Sequence, residues 1–266
     1  MLPIRPVALA VVAALALPAA AAAAATNFAV LLQGSNRSEA NRARDQYRHP
    51  AQTLGFFGIK PRMTVVEISP SGGYYTEILA PFLKDKGTYY AAHNNPASSE
   101  RAAKGVETFK AKLAANPAYA NVKVTAFGKD AYEIAPAGTA DAVLTFRNVH
   151  NWHINGFAPE AFRAFATALK KGGTLGIVEH RLPEDKPDAM QSTSGYLKRS
   201  TVVKLAEDAG FRLAGESKIN ANPKDTHDYP KGVWTLPPNY AEGDKDRAKY
   251  AAIGESDRMT LKFVKR

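Results

Sequence analysis

The residues best suited to chemistry lie between positions 141 and 153, which read D-A-V-L-T-F-R-N-V-H-N-W-H. The first part, Asp141–Phe146, is a mostly apolar run of the kind that forms a strand buried on both faces. A guanidinium, two amides and two imidazoles follow it without a break. Because ligands in open α/β sheets bind just beyond the carboxyl ends of the strands, this pattern indicates a site. The alternative is a polar loop whose amides cap the next helix.

Three side chains of this segment have specific candidate roles. His150 is the candidate general base or substrate contact, because an imidazole titrates near neutrality and accepts a proton from a hydroxyl or an amine. Asn148 and Arg147 are candidates for holding the carboxylate of a ligand. Each of the three has the alternative role of a hydrogen-bonded support for the surrounding loops.

A second histidine is expected at the same edge of the sheet. His180 follows the apolar run Thr174–Val178, beside Glu179 and Arg181, and we predict that it approaches His150 from the neighbouring strand. A zinc site formed by both histidines with His153 is a weaker alternative, since a spacing of three residues in a loop is poor support for a metal site. We therefore predict no metal.

Apolar runs and helical periodicity alternate along the chain. Strands are predicted at Thr64–Ile68, Thr88–Ala92, Val122–Phe127, Asp141–Phe146 and Thr174–Val178. The stripe of Phe162, Phe165 and Leu169 predicts a helix that ends at Gly172 after a basic last turn. Strands that alternate with helices predict a parallel sheet with right-handed crossovers.

The end of the sequence has a different pattern. Phe211–Ile219 and Thr260–Val264 are predicted strands, and no convincing helical pattern lies between them. The connection, residues 220–257, is rich in proline and aromatic residues, which favours an ordered lid or a surface strap over a disordered linker. Tyr229 and Trp234 are its candidates for contact with a substrate.

The first 25 residues are typical of a secretory signal peptide. Arg5 is followed by the apolar stretch Val7–Leu17 and by an alanine run. About eleven apolar residues are too few to span a bilayer, which needs about 20. No cysteine follows for lipid attachment, so we expect periplasmic or secreted protein with no membrane span.

Composition excludes several classes of function. About 240 residues remain after the signal peptide, which predicts one domain over residues 26–266. The formal net charge is +10, but the basic residues are scattered, so a nucleic-acid groove is not indicated. The absence of cysteine excludes disulfides and thiolate catalysis.

The order of elements resembles that of Rossmann-like, class I S-adenosylmethionine-dependent methyltransferases. The segment T-V-V-E-I-S-P-S-G-G-Y-Y-T-E-I-L-A (64–80) looks like the first motif of that fold, and A-E-D-A-G-F (206–211) resembles the turn before its sixth strand. The resemblance implies an α/β fold with a seven-stranded, mostly parallel sheet, an antiparallel last strand, and the Pro/aromatic-rich insertion before it. It also implies S-adenosylmethionine as the cofactor.

A closer resemblance is to an exported bacterial family usually described as predicted methyltransferases. T-F-R-N-V-H-N-W, V-E-H-R, I-N-A-N-P-K-D and G-E-S-D-R-M-T-L-K-F-V-K carry it, over nearly all of the mature chain. The acceptor in that family is undefined, so a small-molecule or envelope acceptor is the expectation.

The resemblance assigns cofactor contacts to the first loop, where the usual E-x-G-x-G-x-G pattern stands as E-I-S-P-S-G-G. Glu67 is expected to orient the loop through backbone N–H groups. Gly72 and Gly73 allow close approach, whereas Ser69 and Ser71 replace glycines and are strained if the loop needs positive φ there.

Two further cofactor contacts follow the second and third strands. The expected ribose-binding acid is absent, and His93 occupies that region with two asparagines after it. Neutral groups bind ribose hydroxyls less strongly than a carboxylate does. Asp130 is the candidate adenine contact, with an ordinary surface aspartate as the alternative. Arg147 is a candidate for the methionine carboxylate or for an anionic substrate.

The favoured function is therefore methyl transfer from S-adenosylmethionine. The alternative is an exported binding or sensor protein that retains the fold without catalysis, since fold does not fix function. A nicotinamide-dependent oxidoreductase is set aside because G-x-G-x-x-G is absent after the first strand.

Overall fold

An eight-stranded sheet forms the centre of the protein, and the computed structural model describes residues 28–266. The strands are β1 (Thr64–Ile68), β2 (Thr88–Asn94), β3 (Val122–Phe127), β4 (Ala140–Phe146), β5 (Leu169–Leu182), β6 (Leu197–Lys198), β7 (Phe211–Ser217) and β8 (Arg258–Lys265). Their order is β3–β2–β1–β4–β5–β8–β7, with β6 paired to the end of β5. The signal peptide predicted for residues 1–25 lies outside the described residues.

The direction of the strands confirms the predicted fold class. The pairs from β3 to β5 are parallel, and β8 runs antiparallel to both β5 and β7. This is the Rossmann-like arrangement, mostly parallel with an antiparallel last strand. The short β6 is an addition to the seven strands expected, because two residues give no recognisable sequence pattern.

Helices cover both faces of the sheet. Those that begin and end within the described residues are α1 (Glu39–Arg42), α2 (Asp45–Arg48), α3 (Pro50–Phe57), α4 (Thr76–Leu83), α5 (Glu100–Ala114), α6 (Val149–Ile154), α7 (Ala158–Ala168), α8 (Arg199–Asp208) and α9 (Arg247–Ile253). Side chains of a strand alternate between faces, so Val65 packs into one core layer and Val66 into the other. Among residues 28–266, no helix combines the length and the apolar composition that a membrane crossing needs.

The predicted end of α7 at Gly172 is wrong. The helix ends at Ala168, and Leu169 already pairs with Ala140 as the first residue of β5. The next pair joins Ala142 to Thr174, so residues 170–173 bulge out of the strand. Tertiary pairing therefore overrides the helical periodicity of Leu169.

The insertion between β7 and β8, which we call the strap (residues 218–257), is ordered. It contains α9, which its sequence did not predict. Buried Asp225 accepts hydrogen bonds from the Tyr196 hydroxyl at 3.1 Å and from the Asp257 backbone N–H at 2.7 Å. Buried Asn220 donates to the hydroxyls of Thr53 and Thr260. These contacts tie the strap to the sheet.

Candidate functional site

Two cavities open at the carboxyl edge of the sheet and share part of their walls. The outer cleft has a volume of about 1270 Å³ and lies against the ends of β1, β2 and β3. The inner cavity has about 220 Å³ and lies between β1, β4, β5 and the strap. Ser69, Ser71, Asn148 and Asn151 line both, so a ligand in one would lie next to a ligand in the other.

The loop after β1 has the left-handed backbone that its usual glycines would supply. Ser69 and Ser71 have φ of 49° and 54°, and Gly73 has φ of 82°. Serine at such angles costs about 1–2 kcal/mol relative to an unstrained conformation. A side chain at Gly73 would contact Phe109 at 3.3 Å, whereas Gly72 faces open space on the outer cleft. The loop thus permits close approach of a ligand to the backbone.

Glu67 lies beneath this loop. Its carboxyl contacts side chains, and not the backbone N–H groups of the loop that the sequence predicted as its partners. Its carboxyl accepts hydrogen bonds from the hydroxyls of Tyr89 and Thr76. Burial, only partly opposed by these bonds, raises the pKa of Glu67 to about 7. Glu67 is therefore part of a buried network that supports the start of α4.

His93 stands on the wall of the outer cleft, but its ring is already engaged. Nδ1 accepts from the backbone N–H of Asn94 at 2.9 Å, and Nε2 lies 3.3 Å from the carbonyl oxygen of Ser71. Burial lowers the pKa of His93, which keeps the ring neutral at neutral pH. Asn94, by contrast, has an exposed side chain on the cleft and no side-chain hydrogen bond within residues 28–266.

Asp130, the candidate adenine contact, does not line the outer cleft. The cleft wall after β3 is formed by Gly128 and Lys129, and the Asp130 side chain is exposed. A left-handed backbone at Asp130, with φ of 65°, turns the chain there. The structure therefore leaves Asp130 as a turn residue.

The inner cavity contains His150 and Glu179 as a hydrogen-bonded pair. Nδ1 of His150 lies 2.8 Å from Glu179 Oε1, and both residues are buried. A carboxylate only accepts, so this bond assigns the proton to Nδ1 and leaves the Nε2 lone pair free. Since His150 lines the inner cavity, its free nitrogen can accept a proton from a ligand there.

Glu179 is fixed by four N–H donors. Oε2 accepts from the backbone N–H groups of Val149 and His150, at 2.6 and 3.3 Å. Oε1 accepts from His150 Nδ1 and from the backbone N–H of His180, both at 2.8 Å. The Glu179 carboxylate, on β5, thereby positions the first turn of α6, which carries the imidazole of His150.

His180 lines the same cavity, as expected from its position after the fifth strand. Its ring lies 5.1 Å from that of His150, and its Nδ1 is 2.5 Å from the Ser256 hydroxyl. Burial first, and then the neighbouring His150 and arginines, lower the pKa of His180 well below its usual value. His180 is therefore a neutral contact rather than a cation at neutral pH.

Two arginines, Arg48 and Arg147, also line the inner cavity. Arg147, at the end of β4, has φ of 63° and forms no ion pair or side-chain hydrogen bond within residues 28–266. Arg48 at the end of α2 also lines the cavity. Burial, with the charges of Arg48 and Arg258 adding to it, lowers the pKa of Arg147 well below its usual value.

Asn148 stands where the two cavities meet. Its amide nitrogen donates to the Ile68 carbonyl at 3.2 Å and to the Thr145 hydroxyl at 3.3 Å. The amide oxygen has no hydrogen bond within the described part of the chain and can accept one from a ligand. The neighbouring positive φ of Arg147 aims the chain so that both side chains reach the cavities.

Known structures share this fold. The chain is similar to a SAM dependent methyltransferase from Aquifex aeolicus, with 17% identity, a TM-score of 0.56, and coverage of 90% of this chain and 97% of that one. It is also similar to the [4+2]-cyclase SpnF, with 14% identity, a TM-score of 0.57, and coverage of 88% of this chain and 84% of that one. The mitomycin 7-O-methyltransferase MmcR has 14% identity and a TM-score of 0.50, with coverage of 90% of this chain and 60% of that one. The chain has the class I methyltransferase fold. No known family profile matches it, and no curated protein matches it.

These identities lie between 14% and 17%, so they establish the methyltransferase fold and leave the chemistry to the residues. In this fold the outer cleft lies at the loop after β1, where the resemblance places the cofactor. The inner cavity, next to it, carries the titratable side chains.

The strap contributes one of the two aromatic residues expected at the site. Trp234 lines the inner cavity, with its ring 6.0 Å from that of His150. Tyr229 does not line it; its ring packs edge-on against Tyr250, 6.0 Å away, next to the cluster of Leu182 and Tyr196. Tyr229 therefore stabilises the strap.

A metal is not assigned to this site. His150, Glu179 and His180 bring one ligand atom each within 4.8 Å of the others. However, both Glu179 oxygens are occupied by N–H donors, and two arginines line the cavity. Positive charge and a saturated carboxylate disfavour a cation. His153, the third histidine of the zinc alternative, does not belong to this cluster.

Sequence reasoning missed Arg44, just before α2, Arg48 at the end of α2, and their carboxylate partner. Arg44 and Arg48 bond to Glu255, which lies more than 200 residues away. The sequence around α2 shows no motif, so only the three-dimensional fold brings these arginines to Glu255. Glu255 did carry a signal, because it lies in the G-E-S-D-R-M segment on which the family resemblance rests.

Proposed function

We propose that this protein transfers a methyl group from S-adenosylmethionine to a small-molecule acceptor. The observation that carries the proposal is the His150–Glu179 pair, which opens on an inner cavity that shares Asn148 with the outer cleft. The fold of the protein supports it. A base in a cavity that borders the cofactor cleft is what alignment of a nucleophile with a methyl donor requires.

The outer cleft fits the cofactor in size and in backbone geometry. About 1270 Å³ is sufficient for a nucleoside with an amino-acid tail, since ligand pockets have about 300–1,000 Å³. The Ser71–Gly72 backbone would lie against the cofactor. His93 has no free nitrogen for the ribose, so the side chain of Asn94 would bind the ribose hydroxyls. An amide both donates and accepts, although it lacks the charge of the usual acid.

The residues of the inner cavity would prepare the acceptor. When bound, the cofactor supplies an electrophilic methyl group. His150 Nε2 accepts the proton of the acceptor hydroxyl or amine, and Glu179 stabilises the resulting imidazolium through Nδ1. Asn148 holds the acceptor group through its amide oxygen, and the strap excludes water through Trp234. Proton transfer of this kind contributes about 10²–10⁴-fold to a rate.

The alternative is an exported binding or sensor protein without catalysis. It is favoured by the absent ribose acid, which would cost on the order of 1–3 kcal/mol for each lost charge-assisted bond. It also agrees with the predicted export, because the cofactor is made in the cytosol. We propose periplasmic or secreted protein, and N-terminal sequencing of the mature chain checks cleavage after residue 25.

Calorimetric titration of the purified protein with S-adenosylmethionine and S-adenosylhomocysteine tests the proposal. We expect micromolar binding that Gly73→Val abolishes, because valine is strained at φ of 82° and meets Phe109. Gly138→Val is the matched control, since Gly138 also has positive φ but a side chain there meets no neighbour. No binding at millimolar ligand to a folded protein would refute methyl transfer and leave the binding alternative.

A second measurement separates the enzyme from a binding protein. His150→Gln should keep the affinity for S-adenosylhomocysteine within about threefold, because the residue lines the inner cavity and not the outer cleft. Methyl transfer, measured in an acceptor screen with labelled cofactor, should fall by about 10²–10⁴-fold in the same variant. Equal transfer rates would exclude His150 as the base.

A further inference from the structure

The guanidinium groups around the inner cavity outnumber the carboxylates that balance them. Glu255 accepts from Arg44 Nε at 2.6 Å and from Arg48 Nε at 3.4 Å, and it also pairs with Arg258. The single carboxylate of Glu255 thus forms ion pairs with three arginines. Arg147 adds a fourth guanidinium, which has no ion pair with any carboxylate of residues 28–266.

Hydrogen-bonding capacity of these arginines remains unused at the cavity wall. Arg48 is 5% exposed, and its Nη2 atom is buried without a partner in the described part of the chain. The Arg48 guanidinium lies 4.3 Å from the centre of the Tyr74 ring, which holds it in place beside the cavity. A buried N–H of a charged group without an acceptor is costly. The Arg147 guanidinium also has no partner among residues 28–266 and lines the cavity, so an acceptor is expected from a ligand there.

The acids near the cavity cannot supply this acceptor. Glu67 is the only acid that lines the cavity among residues 28–266, and it bonds to Tyr89 and Thr76. Burial raises its pKa to about 7, so it carries only part of a negative charge at neutral pH. Glu179 is saturated by its four N–H donors.

We propose that the inner cavity binds the carboxylate, or a comparable anionic group, of a small acceptor through Arg147 and Arg48. This inference rests on the proposed function and names its substrate class. A planar guanidinium matches a carboxylate or phosphate with two parallel hydrogen bonds. Arg147 and Arg48 line the inner cavity and not the outer cleft, which favours the acceptor over the cofactor as the source of the anion.

The apolar part of the cavity indicates the body of this acceptor. Tyr75 and Phe146 stack with ring centres 3.6 Å apart, and both line the cavity together with Trp234. A volume of about 220 Å³ lies below the range of about 300–1,000 Å³ that drug-sized ligands occupy. The group of the acceptor that enters this cavity is therefore small, and it carries an acid together with a hydroxyl or amine for His150.

Tryptophan fluorescence provides a direct test that needs no cofactor. The chain has two tryptophans, so Trp152→Phe leaves Trp234 on the cavity as the single tryptophan, which is excited selectively over the tyrosines at the red edge of its absorption. We would titrate this full-length protein with benzoate and with benzamide, which share their shape and differ in charge. Iodide and caesium quenching adds a comparison that does not depend on the shape of a ligand.

We expect benzoate to bind at least about tenfold more tightly than benzamide, and iodide to quench Trp234 more strongly than caesium does when each is expressed relative to its quenching of free tryptophan. Arg147→Met should abolish both preferences. Arg62→Met is the matched control, because Arg62 is exposed before β1, at the opposite edge of the sheet. Arg147→Gln is the second variant, and urea unfolding verifies that each protein is folded.

Equal binding of benzoate and benzamide, or a benzoate preference that survives in both Arg147 variants, would overturn the proposal. A final titration in saturating S-adenosylhomocysteine identifies the source of the anion. Unchanged or tighter benzoate binding supports the acceptor, and competition assigns the site to the cofactor's own carboxylate, which also overturns the proposal. Absence of S-adenosylhomocysteine binding would refute methyl transfer and not the anion site.

Discussion

Glu179→Gln is the substitution that most directly examines how the site is built. The carboxylate accepts from four donors: the backbone N–H groups of Val149, His150 and His180, and Nδ1 of His150. Glutamine has one oxygen and one NH₂ group, so it cannot accept from all four. The substitution keeps the size of the side chain, removes its charge and replaces one acceptor oxygen by a donor group.

The expected orientation of the amide follows from these contacts. With its oxygen toward Val149 and His150, the amide nitrogen faces His150 Nδ1 and the His180 N–H. His150 can then accept at Nδ1 only if its proton moves to Nε2, which removes the lone pair that faces the inner cavity. The His180 N–H keeps no acceptor. The opposite orientation leaves two backbone N–H groups unpaired and is less favourable.

The expected change in the free energy of unfolding of Glu179→Gln has two main contributions. One buried N–H without an acceptor costs about 1–3 kcal/mol, and the remaining bonds each lose about 1 kcal/mol of charge assistance. Relief from burying a charge offsets part of this loss. We expect the free energy of unfolding to fall by about 3 kcal/mol, which a domain with about 5–15 kcal/mol tolerates.

Two measurements on purified protein examine this expectation. Urea unfolding compares the parent, Glu179→Gln and Glu107→Gln, whose exposed carboxylate makes it the control. Nitrogen NMR of labelled histidine reports the tautomer, and His150→Gln assigns the signal among the six histidines. We expect protonated Nδ1 in the parent and protonated Nε2 in Glu179→Gln. An unchanged tautomer, or a stability loss below about 1 kcal/mol, would refute the assigned role of Glu179.

Two further predictions concern the outer cleft and its support. Asn94→Asp should tighten S-adenosylhomocysteine binding by about 5- to 150-fold in calorimetry, because it restores a carboxylate for the ribose. The control Asn121→Asp, at the other edge of the sheet, should leave this affinity unchanged. An unchanged affinity in Asn94→Asp would exclude Asn94 from the ribose site. Glu67 binds more protons folded than unfolded between about pH 4.5 and 7, since its pKa is raised to about 7. Stability should therefore fall by about 3 kcal/mol as pH rises through that window, and Glu67→Gln should remove this slope. Urea unfolding at pH 5 and pH 8 checks the difference, and parallel slopes in the two proteins would contradict the raised pKa.

The sequence predicts the sheet well because buried parallel strands are continuous apolar runs. Asp141–Phe146 matches β4 to within one residue, and the polar segment after it does lie at the cavities. The ends of helices and strands are harder to predict where strand pairing, and not the periodicity of apolar residues, determines them. Leu169 continues the apolar stripe of α7, yet it pairs with Ala140 and belongs to β5.

The site is predicted only where it follows the ends of strands. His150 and His180 meet because β4 and β5 are neighbours, a relation that the order of elements implies. Arg48 comes from the helices before β1, and Glu255 from the strap. Their contact depends on tertiary packing over 207 positions, for which the local sequence holds no signal.

Several energetic costs in this protein lie at the two cavities. Ser69, Ser71 and Arg147 adopt left-handed backbone conformations, and Arg48 and Arg147 keep unused hydrogen-bonding capacity beside the inner cavity. Backbone strain and unpaired charge each cost of order 1–3 kcal/mol. A protein that used this fold only as a scaffold would gain stability by losing them. Ser69 and Ser71 line both cavities and the two arginines line the inner one, which favours ligand binding at these cavities over retention of the fold without a ligand.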